Sequence, residues 1–225
     1  MNYSDFTVVI PTLNEGRNIG RLLDALTEGY PGINVIVADD GSSDGTQRIV
    51  KKYALKKVKL LAREKAVKGL TASVIDAARM VGTDYFIVMD GDMQHPPEKI
   101  AEVCRLLHSC DIVAAARKRV LVRWAAHRRI VSRVATGLAR LRLRRNLSDP
   151  LSGFFGVRTG VFRDVVSKYG RRFEPEGYKV FFDFLKYIPK DTSVSEVFYD
   201  FGVRERDESK IRLRHILIFL RSLFK

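Results

Sequence analysis

The 225-residue chain has only two cysteines, Cys104 and Cys110, and four histidines. The cysteines sit in an apolar helix-to-strand stretch. A bridge between them is sterically open, but two buried reduced thiols are the expected state, the pattern of a reducing, intracellular setting. His95, His108, His127 and His215 do not fall at metal-ligand spacing and are read as incidental, with His95 the one close to the polar edge described below. Neither G-x-x-x-x-G-K-[ST] nor G-x-G-x-x-G occurs, which disfavours a P-loop kinase and a dinucleotide-dependent dehydrogenase. No apolar run approaches the roughly 18–20 residues of a membrane span. The chain can therefore lie on a bilayer but not cross it as a helix. No secretory signal opens it, since Asp5 arrives early. Without an internal repeat or a low-complexity linker, one domain over residues 1–225 is expected, including amphipathic helices at about 119–143 and 209–224.

What is abundant is positive charge. The formal net charge is +14, a balance that points to a polyanionic partner such as nucleic acid, anionic lipid or phosphorylated ligands. The charge is uneven. From Arg117 to Arg145 there are eleven Lys and Arg and no acid, and from Lys210 to Lys225 five more, again without an acid. The remainder is slightly acidic, so a near-neutral body carries two basic segments.

Apolar runs alternate with helical spacing. Thr7–Ile10 reads as a strand stopped by Pro11, Asn18–Glu28 as a helix, Asn34–Ala38 as a strand and the stretch after Gly45 as a helix through Tyr53. Val58–Leu61, Tyr85–Met89 and Ile112–Ala116 read as further strands, with helices over Leu70–Val81 and Pro97–His108 between them. That order predicts an α/β fold with a doubly wound, mainly parallel sheet. In such sheets functional groups collect beyond the carboxyl ends of the strands. The polar clusters Pro11-Thr-Leu-Asn-Glu15, Asp39-Asp-Gly-Ser-Ser-Asp-Gly45, Lys65 to Gly69, Asp90-Gly-Asp-Met-Gln-His95 and Arg117 all fall at that edge.

Asp90 and Asp92, one residue apart where an apolar strand breaks out, can face one hard cation, with the Gln94 amide oxygen beside them. Mg²⁺ or Mn²⁺ completed by substrate phosphates suits this set. The plainer reading of such a pair is an Asx turn capping a helix, but its position at the strand edge favours the cation. Asp44 reads as a helix N-cap. Asp39 and Asp40 remain as candidates for the hydroxyls or ring N–H groups of a nucleoside. Glu15 fits either ordinary first-turn helix chemistry or a base- or ribose-contacting loop.

Six segments then follow in order: Pro11-Thr-Leu-Asn-Glu-Gly-Arg-Asn-Ile19, Asp39-Asp-Gly-Ser-Ser-Asp-Gly-Thr46, Lys68-Gly-Leu70, Met89-Asp-Gly-Asp-Met-Gln-His-Pro-Pro-Glu98, Ser148-Asp-Pro-Leu-Ser-Gly-Phe-Phe-Gly156 and Ser209-Lys210. On these the chain resembles the family 2, GT-A-fold inverting glycosyltransferases, in particular the polyprenyl-phosphate branch typified by dolichyl-phosphate mannose synthases, over about residues 6–220. The resemblance implies transfer of mannose from GDP-mannose to dolichyl or another polyprenyl phosphate. A UDP-glucose-dependent glucosyltransferase of the same branch is the nearest alternative. It implies a nucleotide-sugar set of Pro11, Leu13, Asn14, Glu15, Ala38, Asp40, Lys68 and Asp90, and a Mg²⁺ or Mn²⁺ site of Asp90, Asp92 and Gln94. Arg117, Arg128, Ser132 and Arg206 are the implied grip on the acceptor phosphate, and Asp92, Arg117 and Arg206 the catalytic set. Leu13 stands where the family usually has Tyr or Phe, and Asp207 where it usually has Gly. No Gln-x-x-Arg-Trp occurs, which argues against the processive polysaccharide synthases.

The basic segments carry apolar stripes. Val120, Trp124, Val131, Val134, Leu138 and Leu141 recur at helical spacing, as do Leu213, Ile216, Leu217, Leu220, Leu223 and Phe224. Basic amphipathic helices with Trp and Phe suit an anionic membrane surface; burial of both stripes in the core is the other reading. Nucleic acid is not the expected partner, because aromatics are not interleaved with the arginines and no nucleic-acid module is visible. The expected location is peripheral, on the cytoplasmic face of a membrane, and a membrane-protein partner subunit is compatible with it.

Overall fold

The computed structural model describes residues 2–64, 66–121, 126–202 and 213–225, without side chains at 126–130 and 213–216. Its strands are β1 (Phe6–Thr12), β2 (Asn34–Asp39), β3 (Val58–Ala62), β4 (Tyr85–Val88), β5 (Ile112–Val120), β6 (Phe155–Arg158) and β7 (Val194–Phe201). They form one seven-stranded sheet in the order β3-β2-β1-β4-β6-β5-β7. The helices are α1 (Ile19–Gly29), α2 (Thr46–Lys51), α3 (Leu70–Met80), α4 (Ile100–Leu107), α5 (Ala126–Leu143), α6 (Thr159–Tyr169), α7 (Val180–Leu185) and α8 (Leu213–Phe224).

β1 and β4 are buried along their whole length, as strands covered on both faces must be. Successive side chains point to opposite faces. Val8 and Ile10 join a core with Leu22 and Leu23 of α1 and Val103 and Leu107 of α4. Val9 faces the other way, into a core with Val74 of α3, Phe162 of α6 and Phe181 of α7. Cys104 and Cys110 are free and buried, and burial pushes the Cys104 thiol up to about 12.

Several sequence expectations need correction. Pro11 does not stop β1, which runs to Thr12 and pairs with β2 through Thr12↔Asp39. The β4 ladder ends at Val9↔Val88, so a residue lacking an N–H beyond that point leaves no bond on that side unmade. β5 continues past Ala116 to Val120, because β7 lies alongside it through Val120↔Phe201, with a register shift between Arg117 and Arg119. Arg119 and Val120 therefore belong to a strand, not to an amphipathic helix; the described helix begins at Ala126. The sheet also contains one reversed strand: β6 is antiparallel to both β4 and β5. The chain leaves β5 at the carboxyl edge and re-enters the sheet from that same edge, so β6 has to run back down.

α5 and α8 pack on a third, smaller core of Ala139, Leu151, Phe182, Phe219 and Leu223. The stripes divide accordingly. Of the described stripe side chains only Leu223 is inward, beside Ala139 and Phe219, which do not belong to the predicted stripes, whereas Val134 (56% exposed), Leu141 (76%), Leu217 (67%) and Phe224 (90%) remain outside. Among the described residues no helix is long and apolar enough to cross a membrane.

Phe155 of β6 is fully buried and stacks on Phe181 of α7 with ring centroids 4.5 Å apart. Phe155→Ala is expected to lower stability by about 3–5 kcal/mol, read from urea unfolding; a loss below about 1 kcal/mol would mean that β6 is not seated between its neighbours.

Candidate active site

The carboxyl edge of β1 and β2 is a stitched pair of loops. Asn14, in a left-handed conformation (φ 53), donates its N–H to Ser42 Oγ at 2.7 Å and accepts the Ser43 N–H on Oδ1 at 2.9 Å. The Glu15 N–H donates to Thr46 Oγ1 at 3.0 Å, and the Gly16 N–H to Asp44 Oδ2 at 2.7 Å. Asp44 also accepts the Thr46 N–H at 3.0 Å, so it caps α2 from one position before the helix's own N-cap, Gly45. Desolvation pulls the Asp44 carboxyl upward, but the bonds from Thr46 and Gly16 outweigh it and hold it below the usual range.

Asp39 is not open to a nucleoside. Its carboxylate accepts the Ser42 N–H at 2.9 Å, Gln47 Nε2 at 2.6 Å and the Thr12 hydroxyl at 3.2 Å. It is the clamp that shapes the turn. Asp40, also buried, accepts Arg63 Nη1 and the Gly69 N–H, the latter at 2.6 Å. Arg63 in turn reaches Asp76 at 3.0 Å, so the expected nucleoside contact is fixed by an arginine that the sequence did not single out. Lys68 is exposed and its Nζ lies over Gly41, where a Cβ would meet it at 2.8 Å. Pro11 is buried in the strand, Leu13 is 41% exposed, and Ala38 is wholly buried in the core on the α3 face, a packing position for its side chain.

Asp90 and Asp92 follow β4 and border the first loop directly. A Cβ on the intervening Gly91 would lie 3.2 Å from Thr12 Cγ2 and 3.5 Å from Glu15 Cγ. Asp92 is 5% exposed, and its Oδ1 accepts the Gln94 N–H at 3.1 Å. Gln94 is tied to the end of β7: its Nε2 donates to Gly202 O at 3.0 Å, while the Gly202 N–H donates to Gln94 O at 3.0 Å. Met93 between them takes φ 64. His95 closes the loop, its Nδ1 accepting the Asp90 N–H at 3.0 Å. Burial pushes this imidazole down to about 4, against the opposing pull of Asp92. The ring is therefore neutral at physiological pH with its proton on Nε2.

Among the described residues no three His, Cys, Asp or Glu side chains form a metal cluster. Asp90, Asp92 and Gln94 offer two carboxylates and an amide, all hard oxygen donors on one five-residue stretch. That composition suits Mg²⁺ or Mn²⁺, which keep several positions for water and substrate phosphate and are held through one or two carboxylates rather than by an all-protein cage.

Across the reversed strand stands the cationic side. Arg117 of β5 makes a bidentate pair with Asp149, Nε to Oδ2 at 2.5 Å and Nη2 to Oδ1 at 3.1 Å. Asp149 sits on the loop that leads into β6. The same loop is fastened by Glu196 of β7, which accepts the Ser148 N–H at 2.7 Å, and by Arg140 of α5, which donates to Leu147 O at 2.8 Å. Lys179, just before α7, donates to Leu151 O at 2.6 Å. Burial, and then the nearby Arg117, push the Lys179 ammonium down to about 8 against the pull of Asp149 and Asp90. Lys179 lies within electrostatic reach of both the acidic and the basic sides, and nothing in its local sequence announces it. Gly153 is the close approach: a Cβ there would meet Asp90 Oδ2 at 3.1 Å and His95 Cε1 at 3.2 Å.

The structure thus brings together the Pro11–Glu15 and Asp39–Thr46 loops, Asp90, Asp92 and Gln94, and, with Asp149 and Lys179, Arg117. Ser132 lies half-buried on α5, where its carbonyl accepts the Thr136 hydroxyl at 3.0 Å; no contact among the described residues ties it to Arg117. The side chain of Arg128 and the whole of Arg206 lie outside the described residues.

Comparison with known proteins agrees with this architecture. The glycosyl transferase family 2 profile matches residues 7–166. A dolichol-phosphate mannosyltransferase of Pyrococcus furiosus is 33% identical over 97% of this chain, and the chain spans 62% of that relative's length. The Saccharomyces cerevisiae dolichol-phosphate mannosyltransferase is 29% identical over 97% of the chain and 85% of its own. An undecaprenyl-phosphate mannosyltransferase of Micrococcus luteus is 27% identical over 70% of this chain and 68% of its own. Among solved structures, glucosyl-3-phosphoglycerate synthase of Mycobacterium tuberculosis, in complex with Mn²⁺, UDP-glucose and phosphoglyceric acid, superposes with a TM-score of 0.71 at 19% identity, covering 97% of this chain and 79% of that one. The likeness shows a shared GT-A fold, and the profile match over most of the chain places it in glycosyl transferase family 2.

Proposed function

We propose that the chain is an inverting mannosyltransferase that uses GDP-mannose and dolichyl or another polyprenyl phosphate, giving dolichyl β-D-mannosyl phosphate. The observation that carries this reading is the meeting of two unlike charge clusters at one sheet edge: Asp90 and Asp92 after β4, and Arg117 with Lys179 on the far side of β6. Relatives named for mannosyl transfer to dolichol phosphate and undecaprenyl phosphate supply the substrate class.

Under this reading the loop of Pro11, Leu13, Asn14 and Glu15, with Asp40, Lys68 and the backbone at Ala38, cradles the nucleoside. Asp90, Asp92 and Gln94 are the residues that would hold Mg²⁺ or Mn²⁺. When bound there, the cation would offset charge on the departing diphosphate. Arg117, aligned by Asp149, presents its guanidinium to the acceptor phosphate, with Lys179 beside it and Arg128, Ser132 and Arg206 completing the grip. A phosphate monoester has its second pKa near about 6, so its oxygen attacks the mannose C1 without a general base. The bond from C1 to the acceptor oxygen forms as the bond to the diphosphate breaks, and GDP leaves with the electron pair. Attack opposite the leaving group inverts C1.

The apolar residues left outside on α5 and α8, flanked by Arg133, Arg140 and Arg221, rest on the anionic cytoplasmic face of a membrane and bring the site to its lipid substrate. A membrane-protein partner subunit is compatible with that placement.

Purified protein in liposomes containing dolichyl phosphate, given Mn²⁺ and GDP-mannose or UDP-glucose, tests the donor and acceptor together. A mannosyl lipid from GDP-mannose is expected by mass spectrometry; product from UDP-glucose alone would overturn the donor, and none from either the whole reading. Asp92→Asn is expected to reduce turnover at least about a hundredfold with the fold intact, and near-normal turnover would remove the cation clamp. Because an anion stabilises protonated Lys179, the acceptor KM is expected to rise as pH climbs through about 8, and Lys179→Met to abolish that rise; an unaltered profile would exclude Lys179 from the grip. Leu217→Glu is expected to weaken flotation with phosphatidylglycerol liposomes, and unchanged flotation would count against the α8 contact.

A further inference from the structure

His95 takes no part in the transfer chemistry proposed above, yet the protein encloses it on every side. The ring is 2% exposed, stacked on Phe154 with centroids 5.4 Å apart, and bounded by Tyr199 at 5.8 Å and Phe201 at 5.7 Å. These rings come from the loop before β6 and from β7, so the cage closes only when both are in place. Inside it, Nδ1 accepts the Asp90 backbone N–H at 3.0 Å and Nε2 lies 3.8 Å from Asp90 Oδ2. One ring therefore borders the same aspartate at its backbone and at its carboxylate.

The consequence falls on the loop between them. Residues 90 to 94 carry all the oxygen donors assigned to the cation, and Met93 within them takes a left-handed backbone, φ 64. The loop is pinned at both ends, by His95 at the Asp90 N–H and by the reciprocal Gln94–Gly202 bonds. A phenyl ring would fill the cage as well as an imidazole, but it offers no acceptor to the Asp90 N–H. Packing alone does not call for histidine here; holding Asp90 does.

We propose that His95 is a positioning residue for the divalent cation, acting through Asp90: its Nδ1 fixes the Asp90 backbone and its ring bounds the carboxylate, so the donor loop is set before cation and diphosphate arrive. The inference rests on the reading that Asp90, Asp92 and Gln94 hold that cation. Partners standing behind metal ligands typically account for ten- to a hundredfold of affinity.

The test measures Mn²⁺ binding rather than turnover. The full chain is titrated with Mn²⁺ in the presence of GDP and without acceptor, free Mn²⁺ being read by electron paramagnetic resonance. The proteins are the wild type, His95→Phe, Gly153→Ala and Asp92→Asn, each checked by thermal melting. His95→Phe keeps the stacked ring and loses the acceptor. Gly153→Ala leaves His95 in place and presses a methyl group on both His95 and Asp90. The expected result is a Kd for Mn²⁺ raised about ten- to a hundredfold in His95→Phe, with a smaller rise in Gly153→Ala. Wild-type affinity in folded His95→Phe overturns the proposal while tight wild-type binding, lost in Asp92→Asn, leaves the cation site standing. Should His95→Phe fail to fold, wild-type affinity in Gly153→Ala overturns it instead. No Mn²⁺ binding by the wild type, or undiminished binding by Asp92→Asn, removes the cation site and this inference together.

Discussion

The bidentate pair between Arg117 and Asp149 is the joint on which the cationic half of the site turns. A buried ion pair gains little net stability, because desolvation offsets the attraction, but a two-point fork fixes the plane and direction of a guanidinium. Asp149 can stand opposite Arg117 only because β6 runs against its neighbours and delivers its leading loop to the carboxyl edge. That loop is held from several directions, by Glu196, Arg140 and Lys179. Leu151 in the same loop belongs to the small core under α5 and α8. The surface assigned to the membrane and the groups assigned to the acceptor phosphate thus share one short stretch of chain.

The reversed strand also separates charge. β4 and β5 are each one strand away from β6, and with a spacing near 4.8 Å their backbones lie about 10 Å apart. Acidic side chains leave from the end of β4 and basic ones from the end of β5. A divalent cation with a diphosphate on one side and a phosphate on the other fit that division, with the sugar between.

The sequence was most legible where chemistry and periodicity coincide. Strands β1 to β4 and the helices between them follow from apolar runs punctuated by turn residues, and Asp90-Gly-Asp92 announces itself by breaking out of such a run. β6 was not legible, since Phe155-Gly-Val-Arg158 is short, contains glycine and shows no alternation. β7 carried a usable signal: Val197, Tyr199 and Phe201 alternate with exposed Phe198 and Asp200. Its pairing is what extends β5 beyond Ala116 and takes Val120 out of the presumed helix. Lys179 and Arg63 were missed for a different reason. Each stands in an unremarkable stretch and gains its meaning from residues distant in sequence, Leu151 and Asp149 for one, Asp40 and Asp76 for the other. Asp39 misled in the opposite direction, since a carboxylate at a strand end can spend all its acceptor capacity on its own turn.

The central claim is that one edge of the sheet holds a divalent cation between the acidic loop and a nucleoside diphosphate. Crystals grown with Mn²⁺ and GDP, measured at the manganese absorption edge, test it most directly. The account predicts an anomalous peak within coordination distance of oxygen atoms from Asp90, Asp92 and Gln94, with diphosphate oxygens completing the shell. Density for GDP with no peak there, or with the peak bound by other side chains, would contradict it.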